Sequence, residues 1–139
     1  MNMRLTSDHY KQIVAAKVFI DENFSAPISL EQISQQAFIS RFHFHRLFRQ
    51  VYKRTPHQYL TRKRLDKALD LLSENKAVTD VCNEVGFESI SSFSILFKKE
   101  IGFAPQYYRN MAYKKKMEQQ AQPKKAIPHC FIDSYKLDK

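Results

Sequence analysis

Residues 84–109, EVGFESISSFSILFKKEIGFAPQYYR, hold both glycines of the chain, Gly86 and Gly102. Between them Phe93, Leu96, Phe97 and Ile101 recur at helical spacing and predict one buried stripe. Ser91, Ser94, Ile95 and Lys98 fall on the other side, toward solvent or a partner. Each glycine offers a left-handed backbone position at which a helix stops. A short helix, a glycine turn and a second helix with a partly polar outer face form the pattern of a helix-turn-helix.

Outward from this stretch the chain repeats itself. Phe93, Phe97, Pro105 and Tyr108 have counterparts 49 residues earlier at Phe44, Phe48, Pro56 and Tyr59. Val81 matches Ile33 at a separation of 48, so the second turn is one residue longer. Arg49 and Lys53 align with Lys98 and Gly102. Two copies of one helical unit are the organising signal.

Caps and stripes set the expected elements. A first helix is expected over 8–24, capped by Ser7, with Ile13, Ala16, Ile20 and Phe24 on one face. Ser29 and Gln32 form a capping box for a helix carrying Leu30, Ile33 and Ala37. Ser40 caps a helix over 41–52, striped by Phe44, Leu47, Phe48 and Val51. Thr55 and Gln58 box the start of a long helix over 56–74, roughly 28 Å at 1.5 Å per residue. Further helices are expected over 79–85, over 89–100 and from Pro105. The fold class is therefore all-α: two helix-turn-helix subdomains, 8–55 and 76–112, joined by a linker helix at 56–75, about seven helices. Beyond Tyr113 the chain reads as a fraying helix end or a solvated basic tail, residues 113–139, with the apolar side chains of the last ten unplaced.

With 139 residues the chain has enough length for a true core, as one domain or two small ones. Apolar runs of about four residues fall far short of a bilayer span, and the N-terminus lacks an apolar signal core. A cytoplasmic protein with no membrane partner is expected. The net charge of +9 favours a polyanion, most simply nucleic acid, with a membrane surface or an acidic protein as alternatives. The two cysteines, Cys82 and Cys130, cannot build a disulfide framework or a four-cysteine zinc site. Cys82, between Val81 and Val85, reads as a small buried hydrophobe.

Enzymatic readings find no residue set. Two glycines cannot make a phosphate-cradling loop or a nucleophile elbow. His43 and His45 point about 200° apart on a helix and cannot share one metal ion. No spacing suggests paired carboxylates. No catalysis, cofactor or metal is expected.

The outward faces carry the signal instead. Beyond its apolar stripe, the helix at 41–52 keeps Arg41, Phe42, His45, Arg46 and Arg49 on a common surface. Arg46 can reach guanine O6 and N7, His45 can donate or accept, and Phe42 can pack on thymine methyls. Arg41 and Arg49 suit phosphates. The competing reading is a solvated basic face with Phe42 tucked into the first turn. The helix at 89–100 has a small, uncharged outer face. Ser89 or Ser91 can contact phosphates or base edges, Ile95 can touch a thymine methyl, and Lys98 and Lys99 suit phosphates. Its competing reading buries Ile90 and Ile95.

GFESISSFSILFKKEIGFAPQYYR resembles the signature of AraC/XylS-type transcription regulators: a G-F, a phenylalanine followed four residues later by F-K-K, then G, P and Y-R. SLEQISQQAFISRFHFHRLFRQVYKRTPHQYLTRKRLDKA resembles the family's other helix-turn-helix and linker helix. The likeness covers about residues 8–112. It implies a seven-helix DNA-binding module that inserts one helix from each half into successive major-groove segments. The family's reading positions fall on Phe42, His45 and Arg46, and on Ile90, Ser91, Ser94 and Ile95. Ile95 stands where members often carry arginine. The linker length suits reading helices one DNA turn, ~34 Å, apart. With about seven residues ahead of the first helix, the chain resembles stand-alone members similar to MarA and SoxS, or an isolated output domain. The expected function is sequence-specific binding of double-stranded DNA as a monomer, activating bacterial transcription with RNA polymerase as partner. The alternative is a helical protein-interaction module, or an output domain with weak, mostly non-specific DNA binding.

Overall fold

Capping side chains start most of the helices. In the computed structural model, which describes residues 5–121, Thr6 Oγ1 accepts from the His9 N–H at 3.1 Å and opens α1, Ser7–Asn23. Ser7, the expected cap, is the first helical residue instead, because Thr6 has the extended backbone a cap needs. In α2, Leu30–Gln36, the capping box is made both ways: Ser29 Oγ accepts from Gln32 N–H, and Gln32 Oε1 accepts from Ser29 N–H. Ser40 caps α3, Arg41–Tyr52. The Thr55–Gln58 box opens α4, Pro56–Ser73. Ala77 offers α5, Val78–Glu84, no side-chain cap. Ser89 caps α6, Ile90–Ile101, and α7 runs Pro105–Ala121. Among the described residues all seven elements are helices.

Helix α7 extends through 113–121, part of the stretch read as a tail. Lys, Met, Glu, Gln and Ala hold a helix by propensity without an apolar stripe. Residues 122–139, including Cys130, lie outside the described residues.

The chain divides at Arg64 and Leu65 into two units. The first core joins Ile13, Ala16 and Ile20 of α1 to Ile33, Ala37, Phe44, Leu47, Phe48 and Leu60. The second joins Leu65, Ala68, Leu69 and Leu72 of α4 to Val81, Cys82, Val85, Phe93, Phe97, Ile101 and Tyr108. The repeat is geometric as well as sequential. The Phe44–Phe48 rings sit 5.6 Å apart at 59°, and the Phe93–Phe97 rings do the same. Tyr59 stands edge-on to Phe48 at 5.7 Å, and Tyr108 to Phe97 at 5.9 Å. Ser34 and Cys82, 48 residues apart, fill matching buried positions. Ser34 Oγ donates to the Glu31 carbonyl, while burial pushes the Cys82 thiol pKa up.

The units differ in how their final helix is fastened. Tyr59 OH donates to Asp21 Oδ1 at 2.7 Å, and Lys17 and Lys63 reach the same carboxylate at 3.0 and 3.2 Å. The corresponding Tyr108 hydroxyl meets the neutral Ser73 Oγ at 3.4 Å. Burial pushes the Asp21 carboxyl up, but hydrogen bonds from Tyr59, Lys17 and Lys63 outweigh it and hold the group below its ordinary value of 3.8. A depressed folded-state value means stability that is fully present above the unfolded value and is lost as pH falls from there through the folded value. The first unit is therefore expected to weaken from about pH 4 downward. Asp21→Asn should cost about 1 kcal/mol at pH 7 and flatten that acid limb, as read by urea titrations at pH 7 and pH 3. Parallel pH profiles for the two proteins would remove Asp21 from this role.

Arginines close two helix ends. Arg64 Nε and Nη2 donate to the Phe24 and Ala26 carbonyls at 2.6 and 2.9 Å, beyond the end of α1. Arg109 donates twice to the Asn75 carbonyl, beyond the end of α4. Each ties the turn that follows a helix to a side chain from a later helix.

Gly86 and Gly102 have the left-handed backbone expected of them, φ 99° and 98°. Their counterparts are Phe38 (φ 59°) and Lys53 (φ 60°). Both carry a Cβ where the second unit has none, at a cost of about 1 kcal/mol each. Phe38 is also 86% exposed, so its ring contributes little packing in return. Phe38→Gly is expected to stabilise the first unit by up to about 0.5 kcal/mol, net of glycine's larger unfolded-state entropy. A rise in the thermal midpoint checks this; a fall would mean that the ring packs after all.

Candidate nucleic-acid interface

Helix α3 buries Phe44, Leu47 and Phe48 and thereby turns its other side outward. Val51, expected in the same stripe, is only partly buried. Phe42 is 77% exposed, not tucked into the first turn. The Arg41 guanidinium lies 5.8 Å from the centre of its ring, and Arg46 and Arg49 are exposed further along the helix. His45 is half-buried. His43 turns inward, its ring edge-on to His9 at 5.5 Å. The face thus offers three guanidiniums along the helix, with Arg41 and the exposed Phe42 at its N-terminus, whose open N–H groups favour anions.

Helix α6 has the same frame and a different surface. Phe93, Phe97 and Ile101 are buried, while Ile95 is 72% and Ile90 44% exposed. The reading that buries both isoleucines therefore fails. Ser91 is exposed and Ser94 half-buried. The Ser89 hydroxyl accepts from Ser92 N–H and donates to Ser92 Oγ at 2.9 Å, so the cap already occupies it. Lys98 and Lys99 are exposed in the last turn. The repeat aligns Arg41 with Ile90, Phe42 with Ser91, His45 with Ser94, Arg46 with Ile95 and Arg49 with Lys98.

Among the described residues no group of three or more His, Cys, Asp or Glu side chains could hold a metal ion. No described helix is long and apolar enough to cross a membrane.

A family model described as a helix-turn-helix domain matches residues 33–111, which run from the buried Ile33 of α2 into α7. The chain belongs to the AraC/XylS family of transcription regulators. The family's shared fold is the all-α, two helix-turn-helix arrangement. A probable transcriptional regulator, LumQ of Photobacterium leiognathi, is 38% identical over 92 residues, which are 66% of this chain and 37% of that protein. The regulatory protein SoxS of Salmonella typhimurium is 26% identical over 103 residues, 73% of this chain and 96% of that protein. Among solved structures, the C-terminal domain of AraT, a response regulator from Geobacillus stearothermophilus, superposes with a TM-score of 0.69 at 26% identity. That match covers 78% of this chain and 88% of that one. The chain spans about a third of the length of the first curated relatives it matches.

Family membership explains why the scaffold is the recognisable part. Gly86, Phe93, Phe97, Gly102, Pro105 and Tyr108 build turns and core. The outward positions of α3 and α6 differ between the two halves of this one chain. The sequence had not disclosed the Asp21–Tyr59–Lys63 cluster that fastens α4 to α1. Only the recurrence of Tyr59 as Tyr108 hinted that the tyrosine position matters.

Proposed function

We propose that the chain binds double-stranded DNA sequence-specifically as a monomer in the bacterial cytoplasm and activates transcription by engaging RNA polymerase. Helices α3 and α6 enter successive major-groove segments. In α3, Phe42, His45 and Arg46 read base edges while Arg41 and Arg49 bind phosphates. In α6, Ile90, Ser91, Ser94 and Ile95 face the bases and Lys98 and Lys99 face the backbone, while Ser89 keeps to the cap. The exposure of Phe42 among three arginines carries this reading: an aromatic held in water beside guanidiniums suits a groove lined by methyls and phosphates.

In vitro selection from a random duplex pool tests it. A single enriched asymmetric motif, bound with steep salt dependence, is the expected result. Failure to enrich any sequence, with binding to random duplex weaker than micromolar, would favour a protein-directed module instead.

A further inference from the structure

We propose that α6 recognises its half of the DNA site through thymine methyl groups, so that the two halves of the chain read opposite base chemistries. This rests on the DNA-binding reading above. The repeat places Ile95 at the position that Arg46 holds in α3. An arginine there meets the acceptor pair of guanine; an isoleucine there has nothing to offer a hydrogen-bonding edge. Ile95 is nevertheless 72% exposed, in the middle of a helix whose other apolar side chains are largely taken into the core.

The polar groups of α6 do not supply discrimination in its place. Ser89 and Ser92 are bonded to each other at the N-cap. Ser91 and Ser94 remain, and a serine hydroxyl pairs with any base edge. Lys98 and Lys99 stand in the last turn, where phosphates are the fitting partner. The thymine C5 methyl is the one apolar group in the major groove that marks a base pair. Ile95 loses water against such a methyl at no polar cost. Against a G·C pair the same side chain would cover donors and acceptors without pairing them, which is unfavourable. Attraction to thymine and exclusion of G·C therefore act together, and the half-site of α6 is rich in A·T pairs.

Deoxyuridine isolates the methyl, since it removes that group and leaves every hydrogen-bonding edge intact. On the duplex recovered by selection, each thymine is replaced singly, and binding is measured for the wild-type protein and for Ile95→Ala. One or two thymines in one half are expected to lose about fourfold in affinity on replacement, the equivalent of ~0.8 kcal/mol for one buried methyl. Ile95→Ala should bind those thymine and uracil duplexes alike. Ile95→Arg, tested by a second selection, should enrich guanine in that half. Tight selected binding that is indifferent to every methyl, or uracil effects that persist in Ile95→Ala, overturns the assignment while leaving the DNA-binding reading intact. Wild-type protein that binds no duplex overturns both. The position is exposed, so the variants keep the fold; circular dichroism confirms this before binding is read.

Discussion

Phe48→Ala is expected to lower the stability of the first unit by about 3–5 kcal/mol. The ring is fully buried and touches three others, Phe44 at 5.6 Å, Tyr52 at 4.7 Å and Tyr59 at 5.7 Å. Truncation removes these aromatic contacts and leaves a cavity between α3 and the helices beneath it. The surrounding side chains can close it only in part. A domain of this size holds roughly 5–15 kcal/mol in all, so the first unit would be near its limit. Urea titration followed by circular dichroism gives the total loss, and methyl resonances assign it to a unit. Signals of Ile13, Ile20 and Ile33 should broaden or shift to unfolded positions, while those of Val81, Val85 and Ile101 keep their native values. Phe48→Leu should cost distinctly less, because most of the volume remains. A loss below about 1 kcal/mol for the alanine variant would contradict the packing described here.

Arg46→Ala is expected to cost ~1–3 kcal/mol of specific DNA binding, five- to 150-fold, and to relax the preference at one base pair. Arg46 is exposed on α3 and lies outside both cores, so the change should not touch stability. Lys98→Ala provides the contrast. A phosphate partner contributes equally on all sequences, so its loss should weaken specific and random duplexes alike and reduce the salt slope by about one. Two gel-shift series, on the selected site and on random duplex, separate the two behaviours. If Arg46→Ala loses the same factor on both, it is a phosphate contact and not a base reader.

Much of this fold was legible because its punctuation is made of side chains. Ser40 and the stripe Phe44, Leu47, Phe48 set α3 at Arg41–Tyr52, and the helix occupies those bounds. Where punctuation is missing or doubled, the boundaries moved. Thr6 and Ser7 can both cap, and Ala77 cannot cap at all. Periodicity says nothing about a helix without a buried face, so the continuation of α7 past 113 had only propensity behind it. The left-handed residues were readable as glycines in the second unit and unreadable as Phe38 and Lys53 in the first.

The candidate site divided in a similar way. That α3 would expose arginines follows from spacing alone. Whether Phe42, Ile90 and Ile95 face water depends on how far the neighbouring helices reach, and no local pattern contains that. The Asp21 cluster joins residues separated by 38 positions and belongs to tertiary structure from the start.

The matched pair at Ser34 and Cys82 has a practical consequence. A thiol buried at 2% exposure reacts with an external reagent only when its surroundings part, so Cys82 alkylation proceeds at the opening rate or opening equilibrium of the second unit. Ser34→Cys would place a thiol at the corresponding point of the first unit. Peptide mapping of the alkylated chain would then time each half separately, with and without DNA, and show which one lets go first.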